Sequence, residues 1–95
     1  ATDGNGRPCH PGDMAAQIAL SLDNLEAVLR GADMTLANLA RLTIYATDVD
    51  ALFRHYGVLA SRLGAARATP PTTLLGVSRL ALPELLVEVE GIAVA

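Results

Sequence analysis

Two carboxylates set two residues apart, Glu88 and Glu90 in the closing stretch LLVEVEGIAVA, are the side chains best suited to acid–base chemistry. Residues i and i+2 of a strand share a face, so both acids point one way while Val87 and Val89 point the other. Two acids on one face of a strand otherwise fit for burial have to be accounted for by what faces them. Ile92 and Val94 lie on the same side as the acids and are apolar. Neither side of the strand is therefore composed for water, and something other than solvent is expected to cover it.

Other reactive residue types are sparse. Cys9 is the one cysteine and sits in a Gly/Pro-rich segment, which rules out an internal disulfide and reads as an incidental loop thiol. His10 adjoins it, and His55 lies about 100° around a helix from the apolar stripe, as a surface residue. Neither histidine has companions at ligand spacing, so no metal site is expected. Of the two acids, Glu90 reads as a solvated or hydrogen-bonded strand residue.

The positioning elements follow from periodicity. The first 13 residues, ATDGNGRPCHPGD, read as loop without a strand. Asp13 suits a helix N-cap, and Met14, Ile18, Leu22, Leu25 and Leu29 recur at helical spacing until Gly31 offers a stop. In ARLTIYAT, Ala40, Leu42, Ile44 and Ala46 alternate with Arg41, Thr43, Tyr45 and Thr47, as in a strand with one apolar face. Asp48 then caps a second helix striped by Leu52, Tyr56, Leu59 and Leu63, with Gly64 as its stop. The two prolines of RATPP break the pattern. A strand is predicted from Thr72 to Arg79, a turn at ALPE, and a last strand from Leu85. The order is α-β-α-β-β, an α+β domain over residues 1–95 with two helices packed on one face of a three-stranded sheet.

Composition bounds the partners. Ninety-five residues bury a thin core, yet 52% of them are hydrophobic and 18% charged, an apolar excess that predicts a subunit interface. A net charge of −3 with two Tyr, one Phe and no Trp supplies neither a basic track for phosphates nor a stacking platform for bases, so nucleic acid is not expected as a partner. No run approaches the ~18 apolar residues of a membrane span, and the start lacks a signal-peptide pattern, so a cytoplasmic protein without a membrane partner is expected.

Three stretches, DMAAQIALSLDNLEAVL, LTIYATDVDAL and PPTTLLGVSRLALPELLVEVEGIAVA, together resemble the RidA/YjgF family, also called Rid or L-PSP, across essentially the whole chain. The resemblance implies a chorismate mutase-like fold assembled as a homotrimer, with sheets in the middle, helices outside and small molecules held in clefts between subunits. Family members begin with a two-stranded hairpin, and this chain starts in the loop expected to follow it. The implied activity is hydrolysis of reactive enamines and imines to a 2-keto acid and ammonia, with no metal or bound cofactor.

By that resemblance Glu88 matches the family's catalytic glutamate, and Thr72, Thr73 and Leu74 occupy the substrate-binding positions. The family's Pro-x-Arg reads Pro70, Pro71, Thr72 here, so threonine replaces the arginine that fixes a carboxylate through a charged, bidentate fork. Arg79 is no substitute, being about 23 Å further along the strand and on the opposite face by parity; Arg67 serves only if its loop folds back. A cleft with Thr72, Thr73 and Glu88 is thus expected to take a neutral or cationic small molecule. Three readings follow: a divergent enamine/imine hydrolase or deaminase, a non-catalytic small-molecule-binding trimer, and, against the charge and aromatic content, a ribonuclease or translation inhibitor.

Overall fold

A computed structural model describes residues 1–95. Helix α1 spans Met14–Gly31, strand β1 Leu39–Ala46, helix α2 Val49–Arg54, helix α3 Tyr56–Ala65, strand β2 Thr72–Gly76 and strand β3 Val87–Ala93, with a short 3₁₀ turn at Leu36–Asn38. The sheet order is β2-β1-β3, with β2 parallel and β3 antiparallel to the central β1. The α+β architecture with helices on one face is as the sequence predicts.

Both expected caps form. Asp13 accepts a hydrogen bond from the Ala16 N–H at 3.0 Å, and Asp48 accepts one from Ala51 at 3.0 Å, each satisfying an amide that the first helical turn leaves free. The stops lie elsewhere than predicted. Gly31 is the last helical residue, and the left-handed position is Asp33 (φ 57°), where Asp33 N–H donates to Arg30 O and Met34 N–H to Leu29 O. Helix α3 ends identically at Arg67 (φ 53°), with Arg67 N–H to Gly64 O and Ala68 N–H to Leu63 O. Both are Schellman closures with a non-glycine residue in the left-handed place. Arg67 is thereby fixed at a helix terminus.

The predicted second helix is two. At His55 (φ −113°, ψ 14°) the chain tightens to a Leu52 O bond from the His55 N–H, then restarts. The stripe survives the break, with Leu52 and Leu59 buried and Tyr56 and Leu63 half-buried against the core. Phe53 and Tyr56 stack across the junction, centroids 5.9 Å apart. The exposed His55 is a junction residue rather than a helical one.

Strand β1 departs from simple alternation. Leu39 faces Ala93 and Arg41 faces Ile92, so Ala40 is an extra residue, a β-bulge. Ala40, predicted on the apolar face, is exposed, and Leu39 takes its place in the core beside Leu42, Ile44 and Ala46. Gly91 makes this packing possible: a Cβ there meets Leu39 Cδ2 at 2.8 Å. The N-terminal loop contains no strand, only an antiparallel bridge between Thr2 and Pro8.

Strand β2 ends at Gly76 rather than Arg79 because its partner ends. Val77 N–H takes the last carbonyl, that of Ala46, at 2.9 Å, and Asp48 has already begun a helix. Strand β3 starts at Val87 rather than Leu85, since Gln17 claims the chain just before it. Fully buried, Gln17 donates from Nε2 to His10 O (3.1 Å) and Glu84 O (2.9 Å) and accepts at Oε1 from Leu86 N–H (2.8 Å). One side chain thus ties the N-terminal loop and the approach to β3 onto α1.

Candidate functional site

Register decides which side chains meet. On the helix-covered face, Leu42, Ile44 and Ala46 of β1 adjoin Leu74 of β2 and Val87 and Val89 of β3. On the uncovered face, Thr73–Thr43–Glu90 form one row across the three strands and Leu75–Tyr45–Glu88 form the next, with Arg41 and Ile92 beside them. Glu88 and Glu90 share a face, as alternation requires, and both are exposed.

The four sequence candidates separate. Thr72 pairs with the buried Leu42 and so takes the helix-side parity; it is exposed at the start of β2, and its hydroxyl donates to Pro70 O at 3.0 Å. Leu74 packs against the core. Only Thr73 shares the uncovered face with Glu88, and the two are a strand and a row apart, roughly 12 Å by standard strand spacing. Within one protomer, then, no small group touches both.

Each acid borders a different depression. Glu88 lies at the rim of a cleft of about 280 Å³ between α1 and β3, together with Ser21, Asn24, Leu25, Val28 and Val89. The Ser21 hydroxyl is buried there without a hydrogen-bond partner, while Asn24 Nδ2 donates to Thr2 O at 3.1 Å. Glu90 lines a groove of about 250 Å³ on the uncovered face with Arg41, Thr43, Tyr45 and Thr73, between apolar walls of Leu75 and Ile92. Glu90, read from the sequence as a bystander, stands with Thr73; Glu88 does not.

Neither acid forms an ion pair, although the Ala1 ammonium borders the Glu88 cleft and feels the Glu88 charge. The ion pairs of the chain both belong to Arg62, which reaches Glu26 at 2.8 Å and Asp23 at 2.9 Å across the α1–α3 seam. The hydrogen bond to Glu26 raises the Arg62 guanidinium above its ordinary range, against a smaller opposing effect of partial burial. No three His, Cys, Asp or Glu side chains converge anywhere, and no helix is long and apolar enough to cross a membrane.

Sequence reading missed Gln17, Ser21, Arg41, Thr43 and Tyr45. The alternating Arg41, Thr43, Tyr45 was visible, but a polar alternate face reads the same whether it meets bulk water or lines a groove. Only the strand order, which brings Thr73 and Glu90 to either side of Thr43, separates the two.

Comparison with known proteins agrees with this frame. The profile of a family described as endoribonuclease L-PSP matches residues 1–95. A Mycobacterium tuberculosis member of the YjgF/YER057c/UK114 family is 37% identical, with a TM-score of 0.79 over 87% of this chain and 69% of that one. The Rid-family protein YyfB of Yersinia pestis is 35% identical, with a TM-score of 0.84 over 98% of this chain and 71% of its own. The YjgF gene product of E. coli is 28% identical, with a TM-score of 0.81 over 88% of this chain and 66% of its own. No curated protein matches closely.

Proposed function

Because this chain belongs to the endoribonuclease L-PSP family, the YjgF or Rid proteins, we propose that it binds a small metabolite in a cleft formed between copies of itself and hydrolyses enamine- or imine-type intermediates there, with Glu88 as the acid–base residue. The observation that carries this reading is the placement of Glu88: a solvent-reachable carboxylate without an ion-pair partner, held on a regular strand at the rim of a cleft. In the reaction an enamine gains a proton at carbon and gives one up from nitrogen, becoming an imine. Glu88 then orients a water whose oxygen adds to the imine carbon; the nitrogen takes the water's two protons in turn, the second from the hydroxyl of the adduct, and leaves as ammonia as the C–N bond breaks, and a carbonyl remains.

Assembly is part of the same proposal. Leu75, Ile92 and Val94 are exposed on or beside the uncovered sheet face, an apolar surface suited to other copies in a trimer. The separation of Thr73 from Glu88 within one protomer has the same implication, since a neighbouring copy is then needed to complete a cleft around a ligand. A solution mass corresponding to a monomer overturns this part.

One observation favours a second reading, a non-catalytic binding trimer. Thr72 stands where the resemblance expects arginine, and a neutral hydroxyl already engaged by Pro70 offers no charged fork to a carboxylate. Neutral or cationic ligands suit such a cleft better than 2-imino acids. Incubation with freshly generated 2-aminoacrylate, following ammonia, decides between the readings. Release above the buffer rate that falls about 100-fold in Glu88→Gln supports the hydrolase; no release together with saturable binding of a neutral amine or amide supports the binding trimer.

A further inference from the structure

Strand β3 carries its two acids in a repeat, Val87-Glu88-Val89-Glu90, and a repeat leaves register open. A slip of one residue along β1 turns the acids toward the helices and exposes the buried Val87. A slip of two does neither. Antiparallel ladders alternate hydrogen-bonded and non-bonded pairs with the same period, so two residues restore both the bonding and the facing. Glu90 then stands opposite Tyr45, where Glu88 now stands, and Val89 replaces Val87 opposite Ala46. A contact outside the alternation has to choose between the acids.

Two contacts do so. Leu86, just before the strand, is held from both sides: its N–H donates to Gln17 Oε1 at 2.8 Å, and its carbonyl accepts from Thr47 N–H at 3.1 Å. Gln17, fully buried on α1, also donates to Glu84 O at 2.9 Å, so the chain cannot advance by two residues without breaking its bonds to Gln17. At the other end Gly91 lies opposite Leu42 and against Leu39, where a Cβ meets Leu39 Cδ2 at 2.8 Å. The slip that brings Glu90 to Tyr45 brings Ala93 to this place, and its methyl group meets that clash.

We propose that Gln17 is a positioning residue: acting through Leu86, and seconded by Gly91, it sets the register of β3 so that Glu88 rather than Glu90 is the acid opposite Tyr45 at the rim of the α1–β3 cleft. The register assignment stands on these contacts alone. Its catalytic consequence rests on the Glu88 hydrolase reading.

The test reads cross-strand backbone contacts in the intact protein by nuclear Overhauser effects, with saturation transfer to detect minor states. Wild type shows Tyr45 against Glu88 only. Gln17→Leu removes two bonds to the approach of β3 and shifts the balance about 30-fold toward the slipped register; a second set, Tyr45 against Glu90, appears and grows in Gln17→Leu/Gly91→Ala. Gln17→Glu in mildly acidic buffer, where its buried carboxyl is protonated and still accepts from Leu86, keeps the single set. So does Leu29→Ala, which opens the core about three turns further along α1 and is comparably destabilising. Activity gives a second readout: Glu88→Gln, which stops ammonia release from 2-aminoacrylate in the wild-type background, lowers it only about tenfold in Gln17→Leu/Gly91→Ala, where Glu90 slides into place, and adding Glu90→Gln removes the remainder. Absence of ammonia from wild type refutes the hydrolase reading and leaves the register result standing. A Tyr45–Glu88 set alone in Gln17→Leu/Gly91→Ala, or a Tyr45–Glu90 set in Leu29→Ala, overturns the proposal. If the Gln17 variants do not fold, Gly91→Ala carries the test: with Gln17 in place it keeps the single Tyr45–Glu88 set, and a second set there overturns the proposal.

Discussion

Replacing Gln17 by leucine tests how the start of β3, and therefore Glu88, is held. The volume is nearly conserved, so the change removes three hydrogen bonds: two donated to His10 O and Glu84 O, and one accepted from Leu86 N–H. A net bond contributes about 1 kcal/mol, and leaving a buried partner unmet costs about 1–3 kcal/mol. Apolar burial of the leucine side chain offsets part of this. The expected loss is about 3 kcal/mol, which for a domain of this size lowers Tm by roughly 12–24 °C. Urea and thermal melts followed by circular dichroism measure it. Hydrogen exchange provides the local check: the Leu86 amide exchanges faster than the global destabilisation explains, because its acceptor is gone.

A glutamate at the same position adds a sign. Its carboxylate keeps the acceptor for Leu86 but faces two carbonyl oxygens, and burial further favours the neutral form. The folded-state pKa of such a group is raised above its unfolded value, so Gln17→Glu is most stable relative to wild type below the ordinary carboxylate range and loses stability as pH rises through the raised value. A Gln17→Leu loss under about 1 kcal/mol, or a Gln17→Glu protein indifferent to pH between 4 and 8, refutes the assignment of Gln17 as the clasp.

Four further outcomes are expected. Gly91→Ala forces Leu39 aside and costs about 1–2 kcal/mol, read in the same melts. Arg67→Gly relieves a left-handed non-glycine backbone and stabilises by about 1 kcal/mol, whereas Arg67→Ala has no such effect. Arg62→Ala costs about 0.5–1 kcal/mol, and the difference shrinks in molar salt because the pair is partly exposed; the raised guanidinium keeps its charge at every pH below its own range, so no dependence arises from the arginine near neutrality. Thr72→Arg restores a charged fork and tightens 2-keto-acid binding about 10- to 100-fold by calorimetry, if the Thr72 position borders the ligand as the family resemblance implies.

Much of this fold was legible because local chemistry agreed with the global arrangement. Asp13 and Asp48 cap where a carboxylate before an apolar stripe should, and Leu22, Leu52, Leu59 and Val87 are buried as their periods require. The helix stops were misplaced because glycine is the usual left-handed residue, and here Asp33 and Arg67 take that conformation while Gly31 and Gly64 stay helical. Ala40 and Leu39 exchanged roles because a bulge is a property of the strand pair, invisible in either strand alone. The site was less legible for the same reason. That Thr73 keeps company with Glu90, and Glu88 with Ser21 and Asn24, depends on strand order and register, and neither leaves a mark in the spacing of the residues concerned.

The extra residue at Ala40 acts as a phase shift in the chain. Before it, odd-numbered positions of β1 look toward the helices; after it, even-numbered ones do. Deleting that single alanine leaves Leu39, Arg41 and Leu42 in simple alternation opposite Ala93, Ile92 and Gly91, so Leu39 still faces the helices and Arg41 the bare side, and only the kink is lost. Comparisons with relatives, or transplants of this segment into another scaffold, therefore have to allow a one-residue offset at that point rather than count straight through it.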